Sequence, residues 1–322
     1  AGDYTAADLS YALKTATGSS DSFTLSLLAL DVNKNSTASG QYIVTSLTAD
    51  DIETITISSN AFETETLLSA GSYENEVTML NADSVKTLKL TGYSDVLVGG
   101  VTSGTMTKVD ATGLAGQMDI TLGATATSSV AVLGGSAGDT ITMTGNTAAN
   151  NIIVGNGGGD TITLAAAGTK ETVRYADAAD SVLALTDTDD PVDGIANKAT
   201  GYDSIATFAT GEDKIELSSA LGLATGDARS AITGKGTIGD GAIADNEELA
   251  VALQTLIDDG VDFFNDGTTD RALAQAIVDD ATDSAVLFID LDGDGDFTTG
   301  TDGMIYLTGL TTGVVISDVV FG

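Results

Sequence analysis

The sequence predicts an all-β protein, a parallel β-solenoid of the β-helix or β-roll kind with a small C-terminal α+β segment. Three observations lead there. Ser46–Ile57 (SLTADDIETITI) and Met79–Leu90 (MLNADSVKTLKL) align without a gap, so that Leu47, Ala49, Ile52, Ile55 and Ile57 match Leu80, Ala82, Val85, Leu88 and Leu90. Both stretches end in alternating apolar and polar residues, the period-two pattern of a strand with one face in and one face out. Glycine is abundant (38) and proline almost absent (1), with Thr, Ser, Asn and Asp around the glycines, a mixture that suits many short strands joined by tight turns. A unit repeated at fixed spacing buries its apolar face by stacking on its neighbour.

Composition narrows the function. Of 322 residues, 42% are hydrophobic but only 5% aromatic, with no Trp, so the core is built from Ala, Val, Ile and Leu. A net charge of -35 argues against nucleic acid or an anionic membrane as partner and in favour of divalent cations. Cys and His are both absent. That removes disulfides, thiolate chemistry, Cys or His zinc sites, Ser-His-Asp hydrolysis and H-E-x-x-H proteolysis. No run reaches about 18 apolar residues, so no membrane span is expected. The start, Ala1-Gly2-Asp3-Tyr4, reads as that of a fragment or a processed form.

Residues 1–42 are expected to form an N-terminal lead-in or cap. Tyr4, Leu9 and Leu13 fit one face of a short helix capped by Asp3 or Thr5, Phe23–Leu30 reads as a strand, and Asn33–Gly40 as a loop. Residues 43–185 are expected to be the solenoid, with Ile55, Ile57, Leu88, Leu90, Ile141 and Ile162 pointing inward. A looser third copy starts at Lys108, with Val109, Ala111, Leu114, Ile120 and Leu122 in the apolar places. From residue 134 the repeat tightens: Gly134–Thr142 (GGSAGDTIT), Gly145–Ile153 (GNTAANNII) and Gly155–Thr163 (GNGGGDTIT), with a degenerate echo at Ser94–Gly100. These are variants of the nine-residue pattern G-G-x-G-x-D-x-U-x, where U is a large aliphatic residue. The glycines make the turn and bring carbonyls to an ion, the Asp adds a hard anionic oxygen, and the aliphatic residue plugs the interior. Calcium takes about 6–8 oxygens in irregular geometry, so stacked turns suit it. Asp139, Asn150 and Asp160 hold the sixth motif position and are the candidate Ca²⁺ ligands here.

Residues 186–322 are expected to flank the repeats. Thr186–Gly201, with the only Pro and several acids, reads as a loop, and Gly201–Ser219 as strands through Ile205 and Phe208, then Ile215 and Leu217. Asn246–Asp258 carries the strongest helix pattern, with Asp245 and Glu248 as a capping box and Leu249, Leu253, Leu256 and Ile257 on one face. A second short helix is expected over Asp270–Val278. In Ala285–Phe297 (AVLFIDLDGDGDF), Asp290, Asp292 and Asp294 are spaced by two and Gly295 follows, the first half of a D-x-D-x-D-G calcium loop. Thr301 stands where that loop has its twelfth-position Glu, and Asp302 comes one residue late. Asp290, Asp292, Asp294, Asp296 and Asp302 are therefore the second group of candidate Ca²⁺ ligands.

At these residues the chain resembles a known family. The glycine-rich repeats, GYDSIATFATGEDKIELSS and FIDLDGDGDFTTGTDGMIYLTGL are similar to the calcium-binding RTX proteins exported by type I secretion, and MTKVDATGLAGQMDITL followed by GGSAGDTIT to the RTX S-layer proteins of Gram-negative bacteria. The resemblance implies a Ca²⁺-stabilised parallel β-roll or β-helix, an uncleaved C-terminal export signal within 186–322, and self-assembly into an extracellular lattice at the cell surface, with Asp139 and Asp160 as repeat ligands. The expected function is structural, not enzymatic, with copies of the chain itself and surface polysaccharide as partners. A secreted adhesin or biofilm-matrix protein is the alternative. A polysaccharide-acting β-helix enzyme ranks third: it can run on carboxylates with Lys or Arg, but the three arginines, Arg174, Arg229 and Arg271, lie outside the repeats.

Overall fold

The computed structural model describes residues 4–6, 8–12, 18–30, 42–62, 74–123, 129–148, 150–166, 168–186, 198–221, 223, 231–238, 253, 264, 273–278, 284–310 and 318–322. The chain divides into two compact units, Ala1–Gly155 and Asn156–Gly322.

The first unit holds β1 (Tyr4–Ala6), β2 (Leu9–Ala12), β3 (Ser22–Leu30), β4 (Tyr42–Val44), β5 (Leu47–Asp50), β6 (Thr54–Phe62), β7 (Glu74–Val77), β8 (Leu80–Asn81), β9 (Thr87–Gly92), β10 (Asp95–Thr102), β11 (Lys108–Leu114), β12 (Met118–Leu122), β13 (Ala131–Leu133), β14 (Thr140–Thr142) and β15 (Asn151–Val154). They make two sheets, and every pairing is parallel. One runs β1-β4-β7-β10-β12-β14, with β2, β5 and β8 joining at the far end of β10. The other runs β3-β6-β9-β11-β13-β15. From β9 onward the chain passes from one sheet to the other with each new strand.

Register and repeat coincide. Leu47 pairs with Leu80, Ile55 with Leu88 and Ile57 with Leu90, the matches of the gapless alignment, and all six are fully buried. The corners Ala49, Ala82, Ile52 and Val85 are buried too. Along β12 burial alternates residue by residue. A parallel sheet covered on both faces has near-continuous apolar strands; alternation means that each of these sheets is covered on one face only. Each fully buried Leu or Ile contributes about 1.5–3 kcal/mol. Ile141 and Ile162 also point inward.

Two expectations in this unit are corrected. Of the residues read as an N-terminal helix, Tyr4 lies in strand β1 and Leu9 in strand β2, each held by a parallel partner, because pairing supplies the backbone bonds that so short a helix leaves unmade; Leu13 lies outside the described residues. The third repeat copy is displaced by one face: Val109 pairs with Leu88, and Val101 pairs with Leu80.

The second unit contains β16 (Thr161–Thr163), β17 (Glu171–Tyr175), β18 (Ala184–Thr186), β19 (Lys198–Thr200), β20 (Asp203–Ala206), β21 (Lys214–Leu217), β22 (Ala231–Ile238), β23 (Leu273–Val278), β24 (Ser284–Ile289), β25 (Gly303–Thr308) and β26 (Val319–Phe321). β16-β20-β25 and β17-β21-β26 are parallel runs. β24 is antiparallel to β25 and to β23, and β23 is parallel to β22. Parallel pairing thus continues beyond 43–185 in both directions, through β3 and through β20, β21, β25 and β26. Of the helix predicted over Asp270–Val278, the described residues Leu273–Val278 form strand β23 instead: the run LAQAIV alternates as well as it winds, and in-register pairing with β24 from Leu273–Ile289 to Val278–Ser284 decides for the strand. Lys198–Thr200, read as loop, pairs antiparallel with Ala184–Thr186. The helix expected over Asn246–Asp258 lies outside the described residues except Leu253, which is helical and fully buried. The loop expected at Asn33–Gly40 also lies outside them.

Among the described residues the other helical pieces are single 3-10 turns, Ala178–Ser181 and Ser219–Leu221. None is long and apolar enough to cross a membrane. Among the described residues the structure is mostly β-strand, consistent with an all-β protein, its sheets are predominantly parallel, and none of them closes on itself.

Candidate metal centre

The loop between β24 and β25 brings three predicted residues together. Carboxylate oxygens of Asp290, Asp292 and Asp294 lie within 4.8 Å of one another, a group that can hold a metal ion. The loop folds on its own side chains. Asp290 Oδ1 accepts from Gly293 N (2.6 Å) and its Oδ2 from Gly295 N (3.3 Å). Asp292 Oδ1 accepts from Asp294 N (3.2 Å), and Asp294 Oδ1 from Asp296 N (2.9 Å). Gly293 and Gly295 take φ of 77° and 90°, the left-handed region that glycine enters without strain. Asp290 is buried and Asp292 and Asp294 are exposed. Burial pushes the Asp290 carboxyl above the usual range, and the charges of Asp292 and Asp294 add to that. Phe297, next in the loop, anchors it edge-on against Phe288 at 4.9 Å within a cluster that includes Leu253, Phe264 and Met304.

Asp296 is exposed and outside this group. Asp302 is fully buried, with Oδ1 on Leu291 N (2.8 Å) and Oδ2 on Thr298 N (2.7 Å). Its carboxyl is pushed up to about 6, by burial first and then by the charges of Asp292 and Asp290. Asp302 braces both ends of the loop.

Asp139 has the same design. It is almost wholly buried, with Oδ1 on Met118 N (2.7 Å) of the preceding strand in its sheet and Oδ2 on Gly135 N (2.6 Å). Burial raises its carboxyl to about 6, despite both amides, and Asp95 adds repulsion. A Cβ on Gly134 would collide with Gly155 O and Asp139 Oδ2, which accounts for the first glycine of that repeat. In the middle repeat the buried position belongs to Asn151, where sequence reasoning chose Asn150. Asn150 is exposed at φ 64°, whereas Asn151 Oδ1 accepts from Val130 N (3.0 Å) and its Nδ2 donates to Ala148 O (2.8 Å). The left-handed residue turns the chain, and its successor faces inward.

In the second unit Asp160 is buried, and its N–H donates to Asp203 Oδ1 at 2.9 Å. Asp203 Oδ2 and Tyr175 Oη are buried without a hydrogen-bond partner; the phenol lies beside the carboxyl but outside hydrogen-bonding geometry. Burial, and then the charge of Asp160, drives the Asp203 carboxyl far above its usual range. Two desolvated carboxyls with an orphaned oxygen need a proton or a cation. That donor set of hard oxygens fits a group such as Ca²⁺.

Sequence reasoning missed Asp203 and Asp213. Asp213 repeats the brace, with Oδ1 on Glu171 N and Oδ2 on Ala209 N, both at 2.8 Å. A sequence signal existed: Thr210-Gly211-Glu212-Asp213 and Thr299-Gly300-Thr301-Asp302 share T-G-x-D, with glycine φ of 86° and 83°, and each Asp captures the amide four residues back.

A scan of protein-family models finds no match to this chain, and a search of curated proteins finds none either. The functional reading therefore rests on the chain's own residues.

Proposed function

We propose that the protein is a calcium-stabilised β-solenoid of the RTX S-layer kind, exported by type I secretion to the cell surface of a Gram-negative bacterium, where copies assemble into an extracellular layer. Its role is structural, not catalytic. The observation that carries this reading is the Asp290–Asp292–Asp294 group on its Asx-turn scaffold. Three carboxylates at spacing two offer the hard, anionic oxygens that Ca²⁺ selects. The orphaned Asp203 oxygen beside Asp160 supports a second ion at the repeat turns, and Asp139 belongs to the same proposal through the lone pairs its two hydrogen bonds leave over. The parallel strands that alternate between two sheets, each covered on one face, support successive solenoid coils.

Extracellular calcium sites have Kd of about 10⁻⁴–10⁻³ M. A tenfold excess stabilises by roughly 1.4 kcal/mol per site. The test is thermal melting in EGTA against 10 mM CaCl₂, with negative-stain microscopy of the same samples. Calcium should raise the melting temperature and bring out ordered sheets, and Asp290→Asn with Asp292→Asn and Asp294→Asn should remove part of the thermal gain. Identical melting with and without calcium would overturn the metal centre. Dispersed single particles at high protein and calcium concentration would overturn the layer.

A further inference from the structure

Among the described residues of the first unit, the lysines all lie on one sheet, where Lys86 follows Asp21 and Glu53 in one register row, and the outer face of the other sheet carries carboxylates and no cation. Lys86, Lys89 and Lys108 are the cations among the unit's described residues, and all three sit on β9, β11 or the entry to β9, in one sheet. In register, Lys89 lies beside Asp110 and Thr56, and Lys108 beside Thr87. Lys108 Nζ pairs with Asp110 at 2.8 Å. Lys86 and Lys89 are exposed and form no ion pair among the described residues. On the outside of the other sheet, Leu97 is flanked in register by Glu76 on one neighbouring strand and Asp119 on the other. Val96, Val98, Met118 and Ile120 alternate with these residues and are buried inside.

We infer that the lysine face of one copy docks on the Glu76–Leu97–Asp119 face of a second copy, a heterologous contact that repeats from copy to copy. The inference rests on the self-assembly proposed above and names its surfaces. Charge complementarity commits it to a second copy of this chain. At a net charge of -35, two copies repel in almost every orientation, and juxtaposing lysines with carboxylates selects one approach. Spacing agrees. Glu76 and Asp119 are two strand steps apart, and Lys89 and Lys108 are one step across and two residues along; both spans are on the order of 8–10 Å, and lysine stems absorb the difference. Asp119 points the same way. It is half-buried on its outer face and its carboxyl is pushed up by burial, the environment that a partner's ammonium relieves. Because the two faces differ, the contact does not close on itself, and it propagates.

The experiment uses two charge-reversed chains. One carries Lys86→Glu with Lys89→Glu and has two acidic faces; the other carries Glu76→Lys with Asp119→Lys and has two basic faces. Circular dichroism checks that each is folded, and Lys86→Gln with Lys89→Gln serves as a milder version. Each variant alone should need at least about tenfold more protein than wild type to assemble, and the neutral version an intermediate amount. Mixed one to one, the two should associate in analytical ultracentrifugation, and raising salt from about 0.05 to 0.5 M should weaken the association. Variants that assemble alone at the wild-type concentration, or fail to associate when mixed, overturn the inference. So does a lysine variant that assembles as wild type yet loses retention on immobilised alginate, which would make this face a polysaccharide surface. If wild type forms no sheets but the two variants pair, the face contact stands and the layer reading falls; if wild type forms sheets and the mixed variants do not, the reverse holds.

Discussion

Asp139 reaches across to the neighbouring strand of its own sheet and accepts the backbone N–H of Met118 at 2.7 Å, while its other oxygen holds Gly135 N at 2.6 Å. One carboxyl thus ties a turn to the strand beside it, and both amides are out of reach of water. Asp139→Ala leaves two buried donors unmade, at about 1–3 kcal/mol each. Urea unfolding of this variant should give a loss of about 2–6 kcal/mol. Asp139→Asn keeps one acceptor and sets an amide against Gly135 N–H, and should lose less. A loss under about 0.5 kcal/mol for the alanine variant would refute the brace.

The same burial sets the pH dependence. Asp139 and Asp302 are each pushed up to about 6, above the ordinary carboxyl value. Folding therefore takes up protons. The stability these groups contribute is fully present below their unfolded value of about 4 and is lost as pH rises through 6. In chelator, the melting temperature should rise by at least about 3 °C as pH falls from 8 to 5. Millimolar calcium should flatten the profile by supplying the positive charge that the proton supplies in acid. A melting temperature that falls over that interval in chelator contradicts the assignment.

Much of this was readable in the residues, for a physical reason. In a parallel stack, a sequence offset that repeats becomes a strand register, so matching Leu47 to Leu80 and Ile55 to Leu88 is the same operation as pairing β5 with β8 and β6 with β9. The inward residues followed from period-two alternation, and the Asp290–Asp292–Asp294 group from local spacing. What was not readable depended on contacts distant in sequence. Asp302 looks like a late ligand until Leu291 N and Thr298 N are seen to occupy its oxygens. LAQAIV becomes a strand because β22 and β24 lie on either side of it. Asn151 replaces Asn150 because a left-handed φ one residue earlier turns the next side chain inward.

The alternation carries its own test. Ile55 is fully buried and Thr56, its neighbour, half-buried on the outer face. Ile55→Ala should cost about 2–5 kcal/mol through lost burial and a cavity, and Thr56→Ala less than about 0.5 kcal/mol. Equal losses from chemical denaturation would mean that the sheet is covered on both faces.

Asp302 separates bracing from ligation. Both its oxygens accept backbone amides, from the residue after Asp290 and from Thr298, and its charge acts on the loop from behind, as the upward pull of Asp292 and Asp290 on its carboxyl attests. If Asp302 is a brace, Asp302→Asn keeps one acceptor and turns an NH₂ toward an N–H, so stability drops by about 1–2 kcal/mol. Calcium affinity changes only a few-fold, because removing one nearby charge weakens attraction without deleting a ligand. Asp290→Asn, within the carboxylate group itself, should instead weaken calcium by at least about tenfold, a 1.4 kcal/mol difference, and should relieve repulsion in the metal-free protein. Calorimetric calcium titration of both variants, with melting in chelator, reads the two effects separately. An Asp302→Asn protein that loses calcium as thoroughly as Asp290→Asn would move Asp302 from the scaffold into the coordination sphere.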